Sequence, residues 1–92
     1  KPDYVVGSSR GGAIAMAINT KRSRVVLIAP AWEKYGVAPI VPPDTTILHS
    51  KDDDVIPIED SCKLPGLLRV CGNCHRMSDE DALYNLISVL TI

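Results

Sequence analysis

The stretch Tyr4-Val5-Val6-Gly7-Ser8-Ser9-Arg10-Gly11-Gly12-Ala13-Ile14-Ala15-Met16-Ala17-Ile18 changes character twice. A β-prone run gives way to a glycine- and serine-rich turn, and the turn to an alanine-rich run of good helix formers. It reads as strand, tight turn, helix. Inside it, Gly7-Ser8-Ser9-Arg10-Gly11 matches G-x-S-x-G, the pattern that sets a nucleophilic serine on a sharp strand-to-helix turn. Ser9 is the candidate rather than Ser8, because only Ser9 has glycine at both −2 and +2. A serine held on such a turn has a strained backbone, so its neighbours two residues away are expected to lack bulk. The helix start adds a dipole that favours an anion, and the Arg10 amide is placed to serve as an oxyanion donor. A phosphate-cradling loop or a plain tight turn would carry the same pentapeptide.

Outward from this unit the chain keeps alternating. Residues 21–24 form a polar break, and Arg24-Val25-Val26-Leu27-Ile28-Ala29 is a continuous apolar run ended by Pro30. Such a run fits a strand buried on both faces of a parallel sheet. Residues 32–44 carry Pro39, Pro42 and Pro43 and read as a loop. Residues 45–49 form a third strand leading into the polar run Ser50 to Asp54, residues 58–64 a short helix, and residues 67–71 a fourth strand. Ser78 is expected to cap a final helix, with Asp81 in a capping-box-like position and acidic residues in the first turn. Leu83, Leu86, Ile87 and Leu90 fall at i, i+3, i+4 and i+7 and predict a single apolar face. Strands alternating with helices imply the α/β class, a parallel sheet with flanking helices.

With 92 residues, 46% of them hydrophobic, and a net charge of −1, the chain suits one small globular domain over residues 1–92. No basic excess points to nucleic acid or to an anionic membrane surface. Its apolar stretches are too short to span a bilayer, and the first residues lack a signal-peptide core. Three cysteines, two of them close together, argue against a secreted disulfide framework and for a reducing, cytoplasmic setting. Lys1-Pro2-Asp3 leads without methionine into an apolar run, as in a sequence entered midway.

A nucleophilic serine needs a base, and the base an orienting carboxylate. Asp52, Asp53 and Asp54 follow the third strand at its C-terminal end, where ligands gather in open α/β sheets. An acidic run of this kind also suits a solvated loop or a hard cation. His75 follows the fourth strand, so the chain order is serine, aspartate, histidine, the order of α/β-hydrolases.

Three segments together resemble the α/β-hydrolase family. Pro2-Asp3-Tyr4-Val5-Val6-Gly7-Ser8-Ser9-Arg10-Gly11-Gly12 is similar to its nucleophile-elbow strand. His49-Ser50-Lys51-Asp52-Asp53-Asp54-Val55-Ile56-Pro57 resembles the H-G-x-x-D-x-x-V-P segment, which puts the family's triad acid on Asp53, with Asp54 as the fallback. Asn73-Cys74-His75-Arg76-Met77 resembles the G-x-x-H-R-[LM] segment of small capless serine hydrolases, whose histidine is the triad base. The resemblance spans nearly the whole chain and implies the C-terminal half of an α/β-hydrolase fold. It further implies a serine hydrolase of carboxylesterase, thioesterase or amidase type, acting on a small-molecule acyl substrate. Ser9 would be its nucleophile, His75 its base, Asp53 its acid and the Arg10 amide one oxyanion donor. It implies no metal or organic cofactor.

The chain departs from the family pattern in places. Ser50 stands where glycine is commoner, the helix before the fourth strand looks clipped at residues 61–66, and the family's early strands and second oxyanion donor have no counterpart. A truncated, non-catalytic binding or interaction module would carry the same motifs. In that reading the strand at residues 4–6 is an apolar edge open to pairing with a second copy.

Cys71-Gly72-Asn73-Cys74-His75 also spells C-x-x-C-H, a haem tether, a partial zinc set with Cys62, or a redox dithiol. The motif lies late in the chain and at a strand end. The simpler expectation makes Cys71 a small buried strand residue and Cys74 a loop residue. Trp32 is a candidate pocket wall or a packed loop aromatic, Glu33 and Lys34 are expected in solvent, and Arg10 and Arg76 read as surface ion-pair partners or contacts for an anionic substrate group.

Overall fold

The computed structural model describes residues 3–18 and 23–91. Its elements are β1 (Tyr4–Ser8), α1 (Arg10–Ala17), β2 (Arg24–Ile28), β3 (Thr46–His49), α2 (Ile58–Cys62), β4 (Leu67–Val70) and α3 (Glu80–Leu90). The four strands form one parallel sheet in the order β1-β2-β3-β4. Of the polar break expected at residues 21–24, Lys21 and Arg22 lie outside the described residues.

The continuous apolar run of β2 has the physical cause anticipated for it. Alternate side chains of a strand point to opposite faces, and here both faces are covered. Val25 and Leu27 pack with Ile47, Ala15, Trp32 and Leu64 on the side of α1 and α2. Val26 and Ile28 pack with Leu48, Cys71, Met77, Ala82 and Val89 on the side of α3. Two thin cores thus sandwich the central strands. The crossover from β2 to β3 has no helix. The proline-bearing loop makes it instead, laying Trp32, Val37 and Val41 over the first core.

Several boundaries differ from the sequence reading by one or two residues. The larger corrections concern α3. Asp79, not Ser78, is its N-cap, its carboxylate accepting from the Ala82 amide. Its other oxygen accepts from the Asn73 amide at 3.1 Å. One carboxylate therefore caps the helix and clamps the preceding loop, which a single hydroxyl oxygen does less well. Asp81 turns back to the Gly72 amide at 2.9 Å instead of completing a capping box. The buried face is also rotated from the predicted one. Ala82 and Val89 are buried, with Leu86 and Leu90 packed against them, while Leu83 and Ile87 are 45% and 61% exposed. The helix lies close to the loop after β4: a Cβ placed on Gly72 would sit 2.7 Å from Met77 Sδ and 3.2 Å from Ala82 Cβ.

Candidate active site

Ser9 joins β1 to α1 with φ 54° and ψ −114°, a conformation that costs a residue with a side chain. The cost is met by what surrounds the turn. The Ser9 amide donates to Ile28 at 2.8 Å, and its carbonyl accepts from Ala13 and Ala31 at 3.2 and 3.0 Å. The elbow is therefore pinned to the C-terminal end of β2. Its glycines do unequal work. A Cβ on Gly7 would collide with the Gly11 carbonyl and stand 2.9 Å from Gly12 Cα, so strand and helix meet with no room for a methyl group. A Cβ on Gly12 would come within 3.0 Å of Pro30. Around Gly11 there is open space. The expectation that both glycines of G-x-S-x-G must lack bulk holds for Gly7 but not for Gly11, and the second tight position is Gly12.

The acid loop leaves β3 through His49 and Ser50, both fully buried. Ser50 Oγ donates to the Gly72 carbonyl at 3.1 Å and accepts from the Asp52 amide at 3.0 Å. A hydroxyl in the place of the commoner glycine thus ties the loop after β3 to the loop after β4. Asp53 turns its fully enclosed carboxylate inward. Its Oδ1 accepts from the Val55 and Ile56 amides, each at 2.8 Å. Burial pushes the Asp53 pKa up. The amides of Ile56 and Val55, together with His75, outweigh that and hold it below the ordinary carboxylate value.

His75 follows β4 in a loop secured by Asp79 and Ser50. Its Nδ1 lies 2.7 Å from Asp53 Oδ2, and its Nε2 lies 2.9 Å from Ser9 Oγ. Three side chains from the ends of β1, β3 and β4, Ser9 and His75 being 66 positions apart, thus meet in one hydrogen-bonded line. Asp54, the fallback acid, is exposed. Arg10 is the first residue of α1, so its amide belongs to that helix's N-terminal turn.

The chain's other histidine also reaches this line. His49 Nε2 is 3.0 Å from Asp53 Oδ2 and 2.9 Å from the Ile56 carbonyl, and its Nδ1 is 2.6 Å from Ser61 Oγ. In the sequence His49 served only to align a motif. The signal that could have raised it is a histidine inside a strand with no solvent-facing position to occupy.

Solved structures match this architecture. A protein from Agrobacterium vitis S4 assigned as a hydrolase superposes with a TM-score of 0.70 at 17% identity, covering 96% of this chain and 59% of its own. Mouse alpha/beta hydrolase domain-containing protein 10 gives 0.68 at 18% identity, covering 98% and 60%. The chain has the α/β-hydrolase fold. It spans about three-fifths of the length of each of these structures. No protein-family model and no curated protein sequence matches it. In the α/β-hydrolase fold as built here, Ser9, Asp53 and His75 all sit at the C-terminal edge of the sheet, where the fold gathers its ligands.

Other sequence candidates fall elsewhere. Trp32 is buried in the α1/α2 core with Nε1 donating to the Asp60 carbonyl at 3.0 Å, so it is a packing residue and not an open pocket wall. Glu33 is not simply solvated: it pairs with Lys63 at 3.1 Å. Arg10 and Arg76 are exposed. Among the described residues no three His, Cys, Asp or Glu are grouped so as to hold a metal ion, and no helix is long and apolar enough to cross a membrane.

All three cysteines are free thiols. Cys62 is exposed, Cys74 half-buried and Cys71 buried against α3. Burial, and then the carboxylates of Asp81 and Asp79, push the Cys71 thiol up. Brief alkylation at pH 8 followed by peptide mapping should therefore find Cys62 modified well ahead of Cys71.

Asp53 also sets a pH dependence. Its carboxyl is more acidic folded than unfolded, so its contribution to stability is complete above its unfolded pKa of about 3.9 and is lost as pH falls through the lower folded value. Chemical denaturation at pH 7 and at pH 3 should show a loss of stability on acidification that is smaller in Asp53→Asn than in the parent.

Proposed function

We propose that this chain is the C-terminal part of a single serine hydrolase domain acting on an ester, thioester or amide of a small acyl substrate. The observation that carries the reading is the unbroken line Ser9 Oγ to His75 Nε2 to Asp53 Oδ2, at 2.9 and 2.7 Å, with the serine on a strained elbow. With Nδ1–H donated to the ionised Asp53, the neutral His75 ring presents a bare Nε2 to the Ser9 hydroxyl. Ser9 Oγ attacks the substrate carbonyl carbon as its proton passes to Nε2. The Asp53 carboxylate stabilises the imidazolium so formed. The carbonyl oxygen becomes an oxyanion, and the Arg10 amide at the start of α1 donates to it. Collapse expels the leaving group, which takes the proton from His75. Water then repeats the sequence on the acyl-serine and frees the acid.

An apolar groove of about 220 Å³ begins one residue from Ser9, lined by Arg10, Ala13, Ile14, Ala17, Tyr35 and Val37. It has room for a short acyl chain. Incubation of the folded protein with a fluorophosphonate should place the label on Ser9. Label that maps to another residue, or no label on a folded sample, refutes the reading.

A second reading, a non-catalytic module that pairs with a further copy, is favoured by one observation: β1 is a sheet edge and its Val6 is 45% exposed. It requires an unlabelled, folded protein whose size-exclusion mass falls on Val6→Lys.

A further inference from the structure

We propose that His49 is a positioning residue of this site, a second histidine that shares Asp53 Oδ2 with His75 and is locked for that task by Ser61 and the Ile56 carbonyl. The inference rests on the hydrolase reading for its catalytic consequence, though not for its geometry.

The tautomer follows from the partners. A carbonyl can only accept, so the ring nitrogen 2.9 Å from the Ile56 oxygen, Nε2, carries a proton. The same N–H is shared with Asp53 Oδ2 at 3.0 Å. In the neutral ring Nδ1 is then the acceptor, and Ser61 Oγ–H donates to it at 2.6 Å. His49, Ser50 and Ser61 are all at most 1% exposed, so water does not compete for these bonds. The result is a line of five side chains, Ser61, His49, Asp53, His75 and Ser9, enclosed at its Ser61–His49–Asp53 end.

This arrangement gives Asp53 four donors. The Val55 and Ile56 amides hold Oδ1, and His49 and His75 hold Oδ2. A carboxylate has about four lone-pair sites, so it is saturated and cannot rotate away from His75. The sharing also has an electrostatic side. Charge that Oδ2 lends to His49 is not available to His75, so His49 moderates how strongly Asp53 stabilises the His75 imidazolium. A base too strongly stabilised as the cation would remain protonated near neutral pH and fail to accept from Ser9. The charged groups around the pair are Asp53 from the loop after β3, His75 from the loop after β4, and Asp60 of α2, whose carboxyl interacts with Glu33, Lys63 and, more weakly, His49.

The chain has two histidines, so its imidazole NMR signals can be assigned by deleting one. Three variants are compared with the parent: His49→Leu, which removes the donor; His49→Gln, whose side-chain amide can restore it; and Ser61→Ala, which only unlocks the ring. His49→Leu is expected to raise the His75 titration midpoint by about 0.5–1 pH unit and slow fluorophosphonate labelling. His49→Gln should return the midpoint toward the parent, and Ser61→Ala should move it up by less. A merely structural role would reduce the folded fraction without moving the midpoint. An unmoved His75 midpoint in both His49→Leu and Ser61→Ala overturns the proposal, and Ser61→Ala alone decides it if His49→Leu does not fold. Midpoints that move in a folded parent that never labels would leave the positioning role standing and refute the hydrolase reading. Labelling of the parent at Ser9 with unmoved midpoints would do the reverse.

Discussion

Asp53→Asn should slow acylation of Ser9 by about 10⁴-fold, the scale of a triad left with the wrong histidine tautomer, while Asp54→Asn should leave it nearly unchanged. The reason lies in the four donors around Asp53. The Val55 and Ile56 amides require an acceptor at the Oδ1 position, so an asparagine there must keep its oxygen toward them. Its NH₂ then occupies the Oδ2 position, facing the Nδ1 of His75 from 2.7 Å. A donor facing that nitrogen forces it to accept, and the ring proton moves to Nε2. The nitrogen that should receive the Ser9 proton is then already occupied. Asparagine has the shape of aspartate, so the fold should survive at reduced stability, its NH₂ also meeting the His49 N–H. The loss of reactivity should appear in labelling rate and not in circular dichroism. Equal losses in Asp53→Asn and Asp54→Asn would show that the acidic loop acts through its net charge and not through one oriented carboxylate. Asp54 is exposed and accepts no part in the line, which makes it the proper control.

The two glycines of the elbow motif should part company just as sharply. Gly7→Ala drives a methyl group into the backbone of Gly11 and Gly12, which no side-chain rearrangement can relieve. Overpacking of this kind costs about 2–3 kcal/mol, which in a domain of this size lowers the melting temperature by roughly 10 °C or more. Gly11→Ala meets open space inside a helix, where alanine is favoured over glycine by about 0.5–1 kcal/mol. One substitution should destabilise and the other stabilise, as read by thermal melts followed by far-UV circular dichroism. A destabilising Gly11→Ala would mean that the open space beside α1 is filled in the working protein.

The fold was legible because its evidence is redundant. β2 announces burial on both faces by four apolar residues in succession, Val25 to Ile28, and the strand-turn-helix grammar around Ser9 repeats in looser form at Ser50 and Cys71. Legibility failed where neighbouring residues are physically equivalent at the level of sequence. Ser78 and Asp79 are both good caps, and only the Asn73 amide, brought near by the loop, distinguishes them. The α3 face slipped because leucine and isoleucine outweigh alanine in any periodicity, yet it is Ala82 that lies buried against the loop at Gly72. Choosing Asp53 from three consecutive aspartates depended on alignment with Pro57. Nothing in the chemistry of the run separates them until the amides of Val55 and Ile56 close on one carboxylate. His49 was invisible as a site residue for a related reason. Its partners at 53, 56 and 61 come together only when α2 folds back beside β3.

The order of strands in the sheet carries a kinetic consequence. Ser9, Asp53 and His75 each hang from a different strand end, and the parallel pairings that join those strands must all form before Ser9 Oγ, His75 Nε2 and Asp53 Oδ2 are within reach of one another. Such non-local pairings close late, because loop entropy is lost before their contacts are gained. Reactivity at Ser9 should therefore be absent from any collapsed or partly paired intermediate and return only with the final refolding phase. A pulse of covalent probe during refolding would time the completion of the sheet.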